Sequence, residues 1–127
     1  MSRAAAITLG SVNVEADDPV ALAAFWAQLL GGAVEGDYDG YVFVAAREPG
    51  GFAMFFRPRT GQRPERQGQH LDLTVPWGSR KEEVDRAVGL GATHEWDVLE
   101  EMPYVQWSTL SDPEGNLFCI AEHPPAG

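Results

Sequence analysis

Two polar side chains in the second half of the chain have types and a spacing that suit proton transfer. His70 and Asp72 are two residues apart in the segment 70–75, where every other residue is Leu or Val. A period of two is typical of a half-buried strand, so the imidazole and the carboxylate should leave the same face. Such a pair could act as a general acid or base. The plainer alternative is that both groups only bond to backbone or water.

Cys119 is the single cysteine of the chain and lies in the apolar segment 117–122. By alternation its neighbours Phe118 and Ile120 should point towards a helix and Cys119 should point away from it. One cysteine excludes an internal disulfide and a zinc cage made from several cysteines. A thiol in apolar surroundings is typically inert, and only His70 from another strand could activate it. We therefore expect Cys119 to line a site rather than to act as a nucleophile.

The elements that carry these residues occur twice, about sixty residues apart. The strand segments 9–14 and 70–75 are each followed by an amphipathic helix that ends at a Leu-Gly pair. Asp18 before Pro19 predicts the start of the first helix, and Ser79 with Glu82 forms a capping box that predicts the start of the second. Three further strands follow each helix, at 33–35, 41–44 and 52–56 in the first half and at 92–95, 105–110 and 117–122 in the second.

Length, charge and composition limit the classes of partner. The chain has 127 residues, enough for one domain, and a formal net charge of −10, which disfavours nucleic acid and anionic membrane surfaces. Segment 58–68 is rich in Arg, Pro and Gly and is predicted to be a solvated linker. Neither a secretory signal nor a membrane span is evident, so we expect a cytoplasmic protein with no membrane and no nucleic-acid partner.

Four pieces of sequence occur in a particular order: Asp18-Pro19 through Phe25-Trp26 to Leu29-Leu30-Gly31, then His70-Leu71-Asp72-Leu73, Leu90-Gly91-Ala92, and Trp107 with 112–116. This ordered set resembles the vicinal oxygen chelate superfamily, which includes glyoxalases, bleomycin-resistance proteins and extradiol dioxygenases. The resemblance implies an α+β fold in which two βαβββ modules form an eight-stranded open cup, and it implies a homodimer. The single domain would span 1–127, with module one at about 7–57, the linker at about 58–68 and module two at about 69–123.

The same resemblance implies where a metal would be held in the metal-dependent members. The corresponding places in this sequence are Leu9 or Ser11, Phe56, His70 and Cys119. Only His70 is a usual ligand, although Cys119 is possible and Asp72 could complete a set of three. A phosphate-binding glycine loop is also missing, because neither Gly-Gly pair opens a helix. We therefore predict that the protein has no metal and no cofactor.

The predicted cup walls define the candidate ligand-binding residues. Ser11 and Asn13, beside Leu9, should offer hydrogen bonds, and Met54 with Phe56 should form an apolar wall. The remaining predicted lining residues are Trp107, which caps the pocket or packs beneath it, and Cys119. We expect His94 and His123 to lie on the surface outside the cup.

These residues support two functions of different classes and one plainer alternative. The first is metal-independent binding of a small, partly apolar molecule such as an antibiotic or a metabolite. The second is a glyoxalase-like enzyme, a lyase or isomerase, that uses His70 and Asp72 for proton transfer with or without a divalent metal. The plainer alternative is a domain that binds a protein partner and leaves the cup unused. Fold alone does not decide between them, because unrelated functions share one architecture.

Overall fold

The computed structural model describes residues 4–126. Module one contains β1 (Ser11–Ala16), α1 (Pro19–Leu30), β2 (Val34–Tyr38), β3 (Tyr41–Val44) and β4 (Ala53–Pro58). Module two contains β5 (Leu71–Thr74), α2 (Arg80–Leu90), β6 (Thr93–Val98), β7 (Gln106–Ser111) and β8 (Leu117–Glu122). The sheet orders are equivalent, β1-β4-β3-β2 and β5-β8-β7-β6. The predicted α+β class with two βαβββ modules is confirmed.

The chain divides into two compact units, one reaching to Thr60 and the other starting at Gly61. Most of the arginine-containing segment belongs to the second unit and bonds to the chain around Leu117. Gln67 pairs with Leu117 through both ends of its side-chain amide, and the Arg63 guanidinium donates to the Glu114 carbonyl at 3.0 Å. Within residues 4–126, neither helix combines the length and the apolar character needed to cross a bilayer.

Helix α1 begins and ends at the predicted residues. The Asp18 carboxylate accepts a hydrogen bond from the Ala21 N–H at 3.1 Å, and Pro19 is the first helical residue. The Asp18 carboxylate satisfies one of the N–H groups that have no partner within the helix. The ring of Pro19 fixes φ close to its helical value at the first position of the helix. At the other end Gly31 adopts φ 78°, the left-handed conformation that ends a helix with little strain. The predicted helix over 19–30 is confirmed.

The core of module one lies between its sheet and α1, and it contains two residues that we predicted to line the cup. Met54 and Phe56 are 1% and 0% exposed, together with the buried Val42 of β3. The opposite face of the sheet carries Phe43 and Phe55, whose ring centroids are 4.6 Å apart. The prediction that Met54 and Phe56 form a ligand wall is therefore wrong. Their strand is apolar at nearly every position, so alternation could not identify its buried face.

Helix α2 begins at a cap that comes from a distant strand. The predicted capping box is wrong, because the Ser79 side chain makes no capping bond and its hydroxyl donates to the Pro76 carbonyl. Instead the Glu122 carboxylate accepts the N–H groups of Gly78 and Arg80, at 2.9 and 3.0 Å. A carboxylate at this helix end satisfies exposed donors and interacts favourably with the helix dipole.

A polar network continues from this cap along the α2 side of the second sheet. One terminal nitrogen of Arg80 donates to the Ser108 hydroxyl, which donates to Asp97, and each distance is 2.6 Å. His94 also bonds to Asp97, at 2.7 Å. Burial alone would raise the pKa of Asp97, but the hydrogen bonds from Ser108 and His94 and the charge of Arg80 hold that pKa below its ordinary value. The Asp97 carboxylate therefore stays ionised within this network.

Candidate functional site

One row of side chains crosses all four strands of the second sheet. Asp72 is paired with Cys119, Cys119 with Thr109, and Thr109 with Trp96. Residues opposite each other on neighbouring strands project from the same face of a sheet. The buried Phe118 and Ile120 project from the other face, towards α2. The row therefore lies on the face that α2 leaves open.

This open face forms a cavity of about 540 Å³. Pockets that bind small molecules typically enclose roughly 300–1,000 Å³ and are lined mainly by apolar and aromatic groups. The cavity fits that description, since indoles and aliphatic groups make up much of its wall. All its lining residues belong to module two: His70, Asp72, Thr74, Trp96, Val105, Trp107, Thr109, Leu117, Cys119, Ala121 and His123.

The candidate acid–base pair lies at the exposed edge of this cavity. His70 Nε2 is 3.1 Å from Asp72 Oδ1, and the two side chains are 48% and 70% exposed. Because Nε2 is the ring nitrogen that approaches the carboxylate, Nδ1 is left for a hydrogen bond with a bound molecule. The pair can therefore orient a polar group of a ligand, and it is placed to exchange a proton with one.

Cys119 lies deeper in the cavity wall and is a neutral thiol. Burial raises the pKa of the Cys119 thiol above its ordinary value, and the negative charge of Asp72 adds to that effect, while the hydrogen bond with Thr109 opposes it. The Thr109 hydroxyl oxygen is 3.3 Å from the sulfur. Because the thiolate is the nucleophilic form, this environment suits a lining group and does not activate the sulfur.

We expect iodoacetamide to alkylate Cys119 slowly at neutral pH. The raised pKa leaves less thiolate than a free cysteine has, and the sulfur is buried, so the rate should be at least about tenfold below that of the urea-unfolded chain. The rate should increase as the pH rises towards the thiol pKa. Alkylation measured by mass spectrometry at neutral pH as fast as in the unfolded chain would instead identify an activated thiolate.

Three side chains that could bind a metal ion lie close together at the cavity. The ligand atoms of His70, Asp72 and Cys119 all lie within 4.8 Å of one another. However, the Cys119 thiol is held in its protonated form, and His70 Nε2 already lies 3.1 Å from the Asp72 carboxylate, a competing partner for each ligand. Phe56, at another implied ligand position, is apolar and fully buried. The donor set therefore does not match the metal shell that the superfamily resemblance implies.

Of the other predicted site residues, the one in module two lines the cavity and those in module one do not. Trp107 lines the cavity together with His70, Asp72 and Cys119. Ser11 and Asn13 are exposed on the open face of β1, paired with Ala53 and Phe55 of β4, and Leu9 precedes that strand and is exposed. These three residues and the buried pair of β4 are outside the cavity lining, which comes from module two.

Seven of the eleven lining residues were not among the predicted site residues: Thr74, Trp96, Val105, Thr109, Leu117, Ala121 and His123. His123, which we expected on the surface outside the cup, lines the cavity. The alternation that orients Cys119 reaches His123 four residues later, so this signal was available. The sequence did not indicate that Trp96 faces the cavity. A register irregularity between His94 and Trp96 changes the alternation of side chains along β6.

Comparisons with known proteins agree with this architecture. The family model of the glyoxalase-like domain matches residues 11–121. No curated protein matches the chain in sequence. Among solved structures, a glyoxalase/bleomycin resistance protein/dioxygenase family enzyme from Burkholderia phytofirmans PsJN is 21% identical with a TM-score of 0.73, covering 93% of this chain and 100% of its own.

Two further structures show the same fold. A glyoxalase/bleomycin resistance protein from Albidiferax ferrireducens T118 is 18% identical with a TM-score of 0.65, covering 91% of this chain and 98% of its own. The protein named oxidase ChaP-H2 is 21% identical with a TM-score of 0.66, covering 97% and 98%. At these identities the structures establish the fold only. Since the domain model spans most of the sequence, the chain belongs to the glyoxalase-like domain family of the vicinal oxygen chelate superfamily.

Proposed function

We propose that the protein binds a small, partly apolar molecule in the cavity of module two, without a metal ion. The observation that carries this proposal is a 540 Å³ cavity whose wall holds two indoles and whose edge holds the His70–Asp72 pair. Apolar walls supply most of the free energy of binding, and a few polar groups fix the orientation of the ligand. An antibiotic or an aromatic metabolite has this mixed character.

Exposed aromatic surface in the cavity supports binding. Trp96 is 51% exposed although it faces a concave surface. Covering apolar area contributes about 25 cal/mol per Å², and an indole offers a large area at a low cost in conformational entropy. Solved relatives of this fold carry names that include a bleomycin resistance protein and an oxidase, so fold alone permits binding and catalysis. The cavity geometry favours binding.

A thermal-shift screen with aromatic metabolites and antibiotics tests this proposal. A ligand at 100 times its Kd should stabilise the fold by about 2.7 kcal/mol and raise the Tm. Trp96→Leu should reduce that shift strongly. The matched control is Trp77→Leu, because Trp77 is 47% exposed but does not line the cavity. A broad library with no active compound, or equal effects of the two substitutions, would contradict the proposal.

A second candidate function is proton-transfer catalysis, which the 3.1 Å contact between His70 and Asp72 favours. In that case the bound molecule is a substrate, and a lyase or isomerase reaction would need one group to accept and return a proton. Compounds that stabilise the protein should then be converted, as followed by mass spectrometry, and His70→Ala should stop conversion while keeping binding. Stabilising compounds that remain unchanged would leave binding as the function.

A homodimer and a cytoplasmic location are further parts of the proposal. Module one exposes aromatic side chains on its open face, where Tyr41 and Phe43 are each more than two-fifths exposed and both contact the Phe55 ring. Apolar groups concentrated in this way favour association with a second copy. The free thiol of Cys119 suits a reducing compartment. Light scattering during gel filtration should give twice the 13.8 kDa mass of the chain, and a monomer would contradict the dimer.

A further inference from the structure

We infer that the cavity of module two prefers planar aromatic cations to anions of the same shape, an inference that rests on the proposed binding function. Asp72 supplies a carboxylate to the lining, and none of the described lining residues is Lys or Arg. The other ionisable lining groups are the imidazoles of His70 and His123 and the Cys119 thiol. Among the described lining residues, Asp72 is the only carboxylate, so it is the acidic group that a bound cation meets.

Arg80, the cation of the polar network on the second sheet, is directed away from the cavity. Arg80 lies on the α2 side, where it bonds to Ser108 and approaches Glu122 at 3.5 Å. It does not line the cavity and cannot neutralise a bound anion there. The chain as a whole has a net charge of −10, which further lowers the local concentration of anions at low salt. The charge in the cavity and the net charge of the chain therefore both disfavour the binding of anions.

The aromatic groups of the wall strengthen this preference. Trp96 and Trp107 lie on the same open face as Asp72. An indole stacks on planar rings, and its electron-rich face attracts cations more strongly than any other side-chain ring. The same face repels a carboxylate or a sulfonate. Both kinds of lining group, carboxylate and indole, thus select positive charge.

The arrangement along the row sets the shape of the ligand. Asp72 and Trp96 are at opposite ends of the row, three strand spacings apart, which is roughly 14 Å between backbones. Both side chains line the same cavity. A ring system stacked on the indoles can therefore place an ammonium substituent near the carboxylate. The ligand class is an aromatic amine with one or more fused rings.

Isothermal titration at about pH 8 with three matched probes tests the inference: naphthylmethylamine, naphthylmethanol and naphthoate. The amine should bind about fivefold to tenfold more tightly than naphthoate, and the alcohol should lie between them. Asp72→Asn should bring the amine to within about twofold of the alcohol without changing the alcohol. Asp72 is an exposed side chain, so this isosteric change should leave the fold intact. Asp85→Asn, which removes an exposed charge from α2, is the control for net charge and should keep the preference.

The outcomes separate this inference from the proposed function. Equal binding of amine and naphthoate, or an unchanged preference in Asp72→Asn, would overturn the charge selectivity. If the probes still bound and Trp96→Leu weakened all of them, the binding function would stand without that selectivity. If no probe bound, the inference would be overturned together with the aromatic-binding function on which it rests. Loss of the preference in Asp85→Asn as well as in Asp72→Asn would assign it to net charge and would also overturn the inference.

Discussion

Phe56→Ala should lower the free energy of unfolding by about 3–5 kcal/mol, the usual cost of removing a large aromatic side chain from a core. Phe56 is fully buried on the α1 side of its sheet, among Val42, Val44 and Met54. The substitution removes a large apolar area and leaves a cavity that the surrounding side chains fill only in part. Urea unfolding followed by circular dichroism measures the loss.

Phe55→Ala is the matched control, because Phe55 is the neighbouring residue of the same strand and faces the opposite side. It is partly exposed, and its ring contacts those of Tyr41 and Phe43. We expect a loss of about 1–2 kcal/mol, since fewer contacts and less area are removed. Equal losses for the two variants, or a larger loss for Phe55→Ala, would mean that the strand presents the other face to α1. Ligand binding by the folded Phe56→Ala protein should be unchanged.

Glu122→Ala should destabilise module two by about 3–5 kcal/mol, the range measured when one partner of a buried ion pair is removed. The side chains of Glu122 and Arg80 are 7% and 14% exposed. Without the carboxylate, the buried positive charge of the Arg80 guanidinium is only partly balanced by negative charge. The first N–H groups of α2 also lose their acceptor. Thermal and urea unfolding of the variant measure the effect.

Two controls separate the cap from the charge. Glu122→Gln retains an acceptor for the N–H groups of Gly78 and Arg80 but loses the charge, so its effect should lie between those of Glu122→Ala and the unchanged chain. Ser79→Ala should cost less than about 1 kcal/mol, because the Ser79 side chain makes no capping bond. If Ser79→Ala destabilised the fold as much as Glu122→Ala, the local capping box would be the true helix start.

The success of the sequence-based predictions followed the strength of the local signals. Helix α1 was predicted to its last residue, because Asp18, Pro19 and Gly31 each have a conformational reason to occupy their positions. Strand β8 was also predicted with its observed bounds, Leu117–Glu122. The alternation of Leu with polar residues correctly placed His70 and Asp72 on one face.

The incorrect predictions concern information that adjacent residues do not contain. In β4 both faces are apolar, so the buried position of Phe56 depends on where α1 packs. The irregularity before Trp96 changes the alternation without a residue type that reveals it. The cap of α2 comes from Glu122, more than forty residues away along the chain. Such tertiary contacts override a local capping motif.

The central claim is that the cavity of module two binds its ligand without a metal ion. The most direct test is a titration of the EDTA-dialysed chain with a compound from the thermal-shift screen, with metal content determined by elemental analysis before and after dialysis. We predict substoichiometric metal before dialysis and a Kd that dialysis leaves unchanged within about twofold, since the His70, Asp72 and Cys119 donors are engaged with each other or protonated. One tightly held transition metal per chain, with binding lost when the metal is removed and lost again in His70→Ala, would contradict the account.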